Sequence, residues 1–138
     1  MADMVALELV SPENLILSKE IEMAILPAEE GDLGVQFGHA PIIATVRPGT
    51  ISVFKGTTVE ERIFVSGGFL EITEERCTVL AEEAISIADI DVSIVKQQIS
   101  DLTDDVKIAK SDSERERAET ALSVAVAKLQ AVETPAYS

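Results

Sequence analysis

The sequence predicts a mainly β, α+β protein in which an N-terminal antiparallel β-sandwich is followed by an antiparallel two-helix hairpin. Two observations carry this reading. Up to about residue 88 apolar and polar side chains alternate in short runs separated by turn residues, the period of half-buried strands. From Asp89 the apolar spacing lengthens to three and four, the period of amphipathic helices. The expected units are therefore residues 1–88 and 89–138. A chain of 138 residues that is 46% hydrophobic and 26% charged has enough apolar side chains for a core and does not read as disordered.

In the first strand Val5, Leu7 and Leu9 alternate with other residues. A turn at Pro12 leads to a short second strand over 14–18. Ile21, Met23 and Ile25 then alternate with Glu20, Glu22 and Ala24 in a third, which Pro27 closes. After Pro48-Gly49 a meander follows: 50–55, a turn at Gly56-Thr57, 59–65, a turn at Ser66-Gly67-Gly68, 69–73, a turn at Glu74-Glu75, and 77–81. Cys77, Met23, Phe54, Phe64 and Phe69 are expected mainly in the core, with a partner-facing position left open for some of Met23 and the three phenylalanines. The helical seams are Val95, Ile99, Leu102 and Val106, then Ala118, Leu122, Ala125, Leu129 and Val132. Asp89 or Asp91 is placed to cap the first helix. Ser113 and Glu116 have the spacing of a capping box for the second, and Pro135 lies past its end. Two helices of this size are marginal alone, so the hairpin must lean on the sandwich or on a partner.

The net charge of −14 disfavours nucleic acid and anionic lipid as direct partners and favours basic proteins. No apolar run approaches the roughly 20 residues needed to span a bilayer. The opening MADMVALELV, with acidic Asp3 and no basic flank, resembles neither a secretory signal nor a transit peptide. A single cysteine permits no internal disulfide and suits a reducing compartment.

Catalytic motifs are missing: there is no phosphate-binding GxxxxGK[ST], no GxSxG and no HExxH, and one histidine cannot build a His/Cys zinc cluster. No catalytic residue, metal or cofactor is expected. Asp101, Asp104 and Asp105 read as a wet helix face. The pairs Glu60-Glu61 and Glu82-Glu83 are expected to point to opposite sides of their strands.

The densest stretch is Glu30-Gly31-Asp32-Leu33-Gly34-Val35-Gln36-Phe37-Gly38-His39-Ala40-Pro41. It holds three of the seven glycines and the only histidine, with Glu29, Glu30 and Asp32 making an acidic tip. It reads as a tight binding loop on a rigid scaffold. His39 admits two readings, an interface contact or pH-sensitive switch, or a ring that hydrogen-bonds a loop carbonyl.

EGDLGVQFGHAPIIATVRPG resembles the signature loop of the epsilon subunit of F-type (rotary) ATP synthases, and FVSGGFLEI resembles a second landmark of that family. The resemblance covers nearly the whole chain. It implies a non-catalytic subunit at the foot of the central stalk, bound to the gamma subunit and the c-ring and coupling proton flow to ATP synthesis or hydrolysis. Carried over by motif, Glu30, Gly31, Asp32 and Leu33 would face the c-ring loops, and Ser11, His39 and Ile43 would lie toward gamma or its boundary with the ring. It further implies a peripheral position on the cytoplasmic face of a bacterial plasma membrane, or the stromal side of a thylakoid, with membrane association only through partner subunits.

Two departures from the family pattern bear on regulation. Some members bind ATP through Ile/Leu-Asp-x-x-Arg-Ala, whereas this chain reads Ile90-Asp91-Val92-Ser93-Ile94-Val95, with Ile94 in place of the arginine. Useful ATP binding is not expected. In members whose hairpin enters the alpha/beta catalytic head, basic helix residues meet an acidic loop; residues 89–133 here carry six Lys/Arg against ten Asp/Glu, a balance of −4. Weak self-inhibition is expected. A β-sandwich ligand-binding module with a helical dimerisation tail is the alternative, disfavoured by 4% aromatic content and the lack of tryptophan.

Overall fold

A computed structural model describes residues 3–135 and Tyr137; the outer limits of the two expected units, residues 1 and 138, lie outside the described residues. Ten strands form one curled sheet: β1 (Val5–Val10), β2 (Leu15–Ile21), β3 (Met23–Ala28), β4 (Gly31–Val35), β5 (Ile42–Val46), β6 (Gly49–Lys55), β7 (Thr58–Val65), β8 (Gly68–Ile72), β9 (Arg76–Ala81) and β10 (Ala84–Ser86). Their order is β10-β7-β6-β3-β5-β8-β9-β1-β2, with β4 paired to β3. Val5, Leu7, Leu9, Leu26, Val35, Ile51, Val53, Leu70, Ile72 and Val79 point inward from many of these strands and are buried, so the curled sheet packs on itself as a sandwich. Lys19 of β2 bonds Glu61 (2.8 Å) and Glu60 (3.3 Å) of β7, tying strands near opposite ends of the order together.

The expected β architecture is present, but the expected meander splits into two hairpins, β6–β7 and β8–β9, because β7 and β8 are not neighbours in the sheet order. Other local differences also have physical causes. All pairs are antiparallel except β1 and β9, which run parallel from Ala6↔Arg76 to Val10↔Leu80. β2 is longer than expected. A bend at Glu22 flips the inward phase, so Ala24 and Leu26 are buried while Met23 and Ile25 are half-buried. Pro27 lies within β3 rather than closing it, and the glycine stretch opens as a hairpin in which β4 pairs β3 from Ala24↔Val35 to Ala28↔Gly31. Gly49 is a close approach, since a Cβ there would lie 2.8 Å from Pro27 Cβ. Gly68 has φ +144° and would set a Cβ 1.9 Å from Leu80 O, so no other residue fits.

Glu60 and Glu61 both reach Lys19 rather than opposite faces. The register with β6 jumps from Val53↔Glu61 to Phe54↔Val59, and such a bulge puts two consecutive side chains on one side. Phe69 is also misplaced by the sequence reading. Leu70 and Ile72 point inward, so Phe69 faces out and is 60% exposed.

Beyond β10 a 3-10 turn (Ile87–Asp89) leads to α1 (Val92–Ile108) and α2 (Asp112–Glu133). Asp91 caps α1, accepting from Ser93 N at 3.0 Å and Ile94 N at 3.3 Å. The cap of α2 is Ser111, not Ser113: its Oγ accepts from Glu114 N at 3.1 Å, while Glu114 accepts from Lys110 N at 3.0 Å. The same S-x-x-E spacing therefore occurs one half-turn earlier than expected. α2 is packed on two sides, against α1 and against the outer face of β6 and β7. Ala125 and Ala131 are buried, and Lys128 lies 5.7 Å from the Phe64 ring centroid while pairing with Glu83 at 2.5 Å.

Candidate functional site

Cross-strand partners share a sheet face, and the register sets one apolar row on the outside of the sandwich. Phe69 faces Leu80, Leu80 faces Val10, and Val10 faces Leu15, with Thr45 opposite Phe69 and Ile43 two residues along β5. Leu15 is 62% exposed, Leu80 48% and Ile43 74%. At roughly 4.8 Å per strand, the apolar row from Phe69 on β8 to Leu15 on β2 spans about 14 Å. The next row begins with Ile43 on β5 and is polar from there on, through Glu71, Thr78, Glu8 and Ser18, and Glu8 there pairs with Arg76. An apolar strip of this length bordered by charge has the anatomy of a docking face.

The acidic tip stands beside that row. Glu29 N donates to Thr45 O at 2.8 Å, which fixes the β3–β4 turn against β5. Ala28 to Leu33, Ile42 to Thr45 and Phe69 line an open groove of about 580 Å³. Glu30 lies exposed in the turn, Gly31 adopts φ +146° at the start of β4, and Leu33 packs partly against the core.

Asp32 is turned the other way. Its Oδ1 accepts from Arg47 at 2.5 Å and its Oδ2 from the Tyr137 hydroxyl at 2.6 Å. The Tyr137 bond, then the Arg47 bond, hold its carboxyl below the usual carboxylate range, and the same contact with Asp32 raises the Tyr137 phenol.

The three residues expected toward gamma are not one cluster. Ile43 is exposed one row over, opposite Glu71, and Ser11 follows Val10 at the rim of the apolar row, bonded to Asn14 in the β1–β2 turn. Ser11 and Ile43 are three strand steps apart across the sheet and three residues apart along it, roughly 17 Å in all. His39 lies toward the other end of β5, where Gly38 N meets Glu74 O of the β8–β9 turn. Its Nδ1 is 2.6 Å from Ala40 O, the loop-carbonyl arrangement.

Asp91 spends its carboxylate on the α1 cap, with Ser93 Oγ at 2.8 Å, and the Ser93 and Ile94 bonds keep its pKa low. Ile94 is 57% exposed and offers no charge at the arginine position. Asp101 accepts from Gln97, and Asp104 and Asp105 are exposed on the helix surface. Cys77 lies in the core, where burial pushes its thiol up to about 12.

Sequence reasoning missed Leu80, Leu15, Arg47, Arg62 and Tyr137. For Leu80 the signal was present: Cys77, Val79 and Ala81 claim the inward phase of β9. Arg47 and Tyr137 carry no local pattern that foretells their meeting.

The β-sandwich domain of the ATP synthase delta/epsilon chain matches residues 4–87, and the C-terminal domain of the ATP synthase epsilon chain matches residues 91–137. The chain is 49% identical to the ATP synthase epsilon chain of Rhodospirillum centenum, over 96% of this chain and 94% of that one. It is 41% identical to that of Maricaulis maris, over 99% and 98%. In fold it is similar to a chain of the Euglena gracilis mitochondrial ATP synthase (OSCP/F1/c-ring), with TM-score 0.78, 20% identity, and 90% of this chain and 78% of that one covered. It is likewise similar to a chain of the Tetrahymena thermophila mitochondrial ATP synthase central stalk and c-ring, with TM-score 0.63, 11% identity, and 93% and 96% covered. With both parts matched in order and relatives above 40% identity along nearly their whole length, the chain belongs to the ATP synthase epsilon-chain family.

Proposed function

We propose that this non-catalytic stalk subunit binds the gamma subunit through its outer apolar row and the c-ring through its acidic tip, so that the rotor turns as one body. Residues 1–88 act as the rotor-binding unit and residues 89–138 as the regulatory one. The observation that carries the reading is the row Phe69, Leu80, Val10 and Leu15 with neighbouring Ile43, an exposed apolar strip on an otherwise strongly acidic chain. Ser11 borders it, and His39 lies beyond the end of β5 opposite the acidic tip, on the gamma side in this reading. Glu30, Gly31, Asp32 and Leu33 present carboxylates to basic c-ring loops, a complementarity that sets register more than affinity.

No helix among the described residues is long and apolar enough to cross a membrane. The subunit is a peripheral part of its complex, on the cytoplasmic face of a bacterial plasma membrane in this reading, or the stromal face of a thylakoid. The hairpin is a weak regulator, since Asp91 is committed to a helix cap and Ile94 cannot pair with phosphate. Titration with ATP should show no micromolar binding, and truncation after residue 88 should raise ATPase activity of the assembled head little. The direct test is co-purification: the wild-type chain should retain gamma and c subunits and Phe69→Glu should lose gamma. Retention of gamma by Phe69→Glu would remove the row from the interface.

A further inference from the structure

Tyr137, past the end of α2, closes a contact with a residue 105 positions earlier. Its hydroxyl donates to Asp32 Oδ2 at 2.6 Å, and its ring meets Phe54 edge-on with centroids 6.0 Å apart at 67°. Its backbone carbonyl accepts from Arg62 Nε at 3.0 Å and from a second nitrogen of the same guanidinium. Side chain, ring and backbone are thus held at once, by residues from β4, β6 and β7. Arg47 takes the other oxygen of Asp32, so both carboxylate oxygens are engaged.

We propose that Tyr137 is a clasp that ties the folded-down state of the helical hairpin to the occupancy of Asp32, so that a basic group of the rotor ring engaging Asp32 and release of the tail are one event. The proposal rests on the reading of residues 30–33 as the ring-facing tip. The phenol and a partner's cation compete for Oδ2. When the cation wins, the tail loses its charge-assisted bond and is left with the Arg62 bonds to its carbonyl and the Phe54 ring contact, while α2 keeps its Lys128 contacts with Glu83 and Phe64. While the clasp is shut, the carboxylate is less available to the ring. The coupling is reciprocal, because whatever stabilises the open tail favours the ring-bound tip by the same factor.

Tyr137 is the only tyrosine and the chain has no tryptophan, so tyrosine emission of the isolated chain reports the surroundings of this one residue. Asp32→Asn should relieve the quenching by the carboxylate. Asp32→Asn and Tyr137→Phe should each speed amide exchange at the end of α2 about tenfold, the scale of one charge-assisted hydrogen bond near the surface. The double variant should be no faster than either, because both remove the same bond. Emission unchanged by Asp32→Asn, or additive exchange rates, would overturn the clasp itself. In the assembled rotor, a fluorotyrosine label gives this subunit a single fluorine resonance. It should move to the position seen in isolated Asp32→Asn, and Tyr137→Phe should tighten assembly about tenfold. If the isolated chain behaves as expected but Asp32→Asn assembles with unchanged affinity, the ring-facing reading fails and the coupling with it.

Discussion

Inside the sandwich, seventeen side chains from Val5 to Ala81 form one buried apolar cluster, whereas the helical hairpin buries only Val95, Ala125 and Ala131 to the same degree among the described residues. The hairpin is held to the sheet by different means: a lysine over the Phe64 ring, an ion pair to Glu83 and a tyrosine on Asp32. Burial is non-directional and spread over many groups, so no single partner can undo the sandwich. The hairpin depends on a few polar contacts near solvent, each of which a competing group can replace at modest cost. The proposed role calls for both properties, a body that does not yield under load and an arm that can.

Four changes should break or sharpen this contrast. The largest effect belongs to the core: Leu7→Ala should destabilise by about 2–5 kcal/mol, read as an earlier cooperative denaturant transition. Next is the seam between arm and body, where Ala131→Leu should overpack by about 1–3 kcal/mol. Amide exchange should then rise through α2 while the strands keep their protection. If the strands also lost protection, arm and body would be one cooperative unit. Smaller again, Ser111→Ala removes the α2 cap and should cost about 1 kcal/mol, seen as lost helix signal by circular dichroism with the core transition unmoved.

The smallest change is by pH. Asp32 has a lowered folded pKa, so its contribution is full above the unfolded value of about 4 and is lost as pH falls through the folded one. Tyr137 has a raised folded pKa, so its contribution is full below about 10 and is lost as pH rises through the folded value. Tail release followed by tyrosine emission should therefore occur at both extremes and not between them. A Phe54→Ala chain, which keeps the hydrogen bond but lacks the ring contact, should show the same two limits with smaller amplitude.

The two regions also differ in how far they could be read from residues alone. Strand and helix periods are local, so the strands, the hairpins β6–β7 and β8–β9, the helical seams and the Asp91 cap were visible in the sequence, whereas the separation of β7 from β8 was not. The phase flip at Glu22 and the bulge at Glu60 were not, because each depends on a partner strand's register. The parallel pairing of β1 with β9 joins strands some seventy residues apart, beyond any local pattern. Within the site, the acidic tip was legible as a motif, but its division into an exposed Glu30 and a Tyr137-bound Asp32 was not. That division is set by Arg47 and a tail residue on another element. Phe69 was assigned to the core on hydrophobicity, although the inward phase of Leu70 and Ile72 already excluded it.

The place of β1 between β2 and β9 has a consequence for synthesis on the ribosome. The first strand made is hydrogen-bonded on one side by its immediate successor and on the other by a strand that emerges much later. Until Arg76–Ala81 leaves the exit tunnel, the nascent chain carries an open strand edge flanked by unsatisfied apolar faces, the state most exposed to misassociation. Slow translation before residue 76 should therefore lower the soluble yield, and holdase chaperones should be found on chains stalled there.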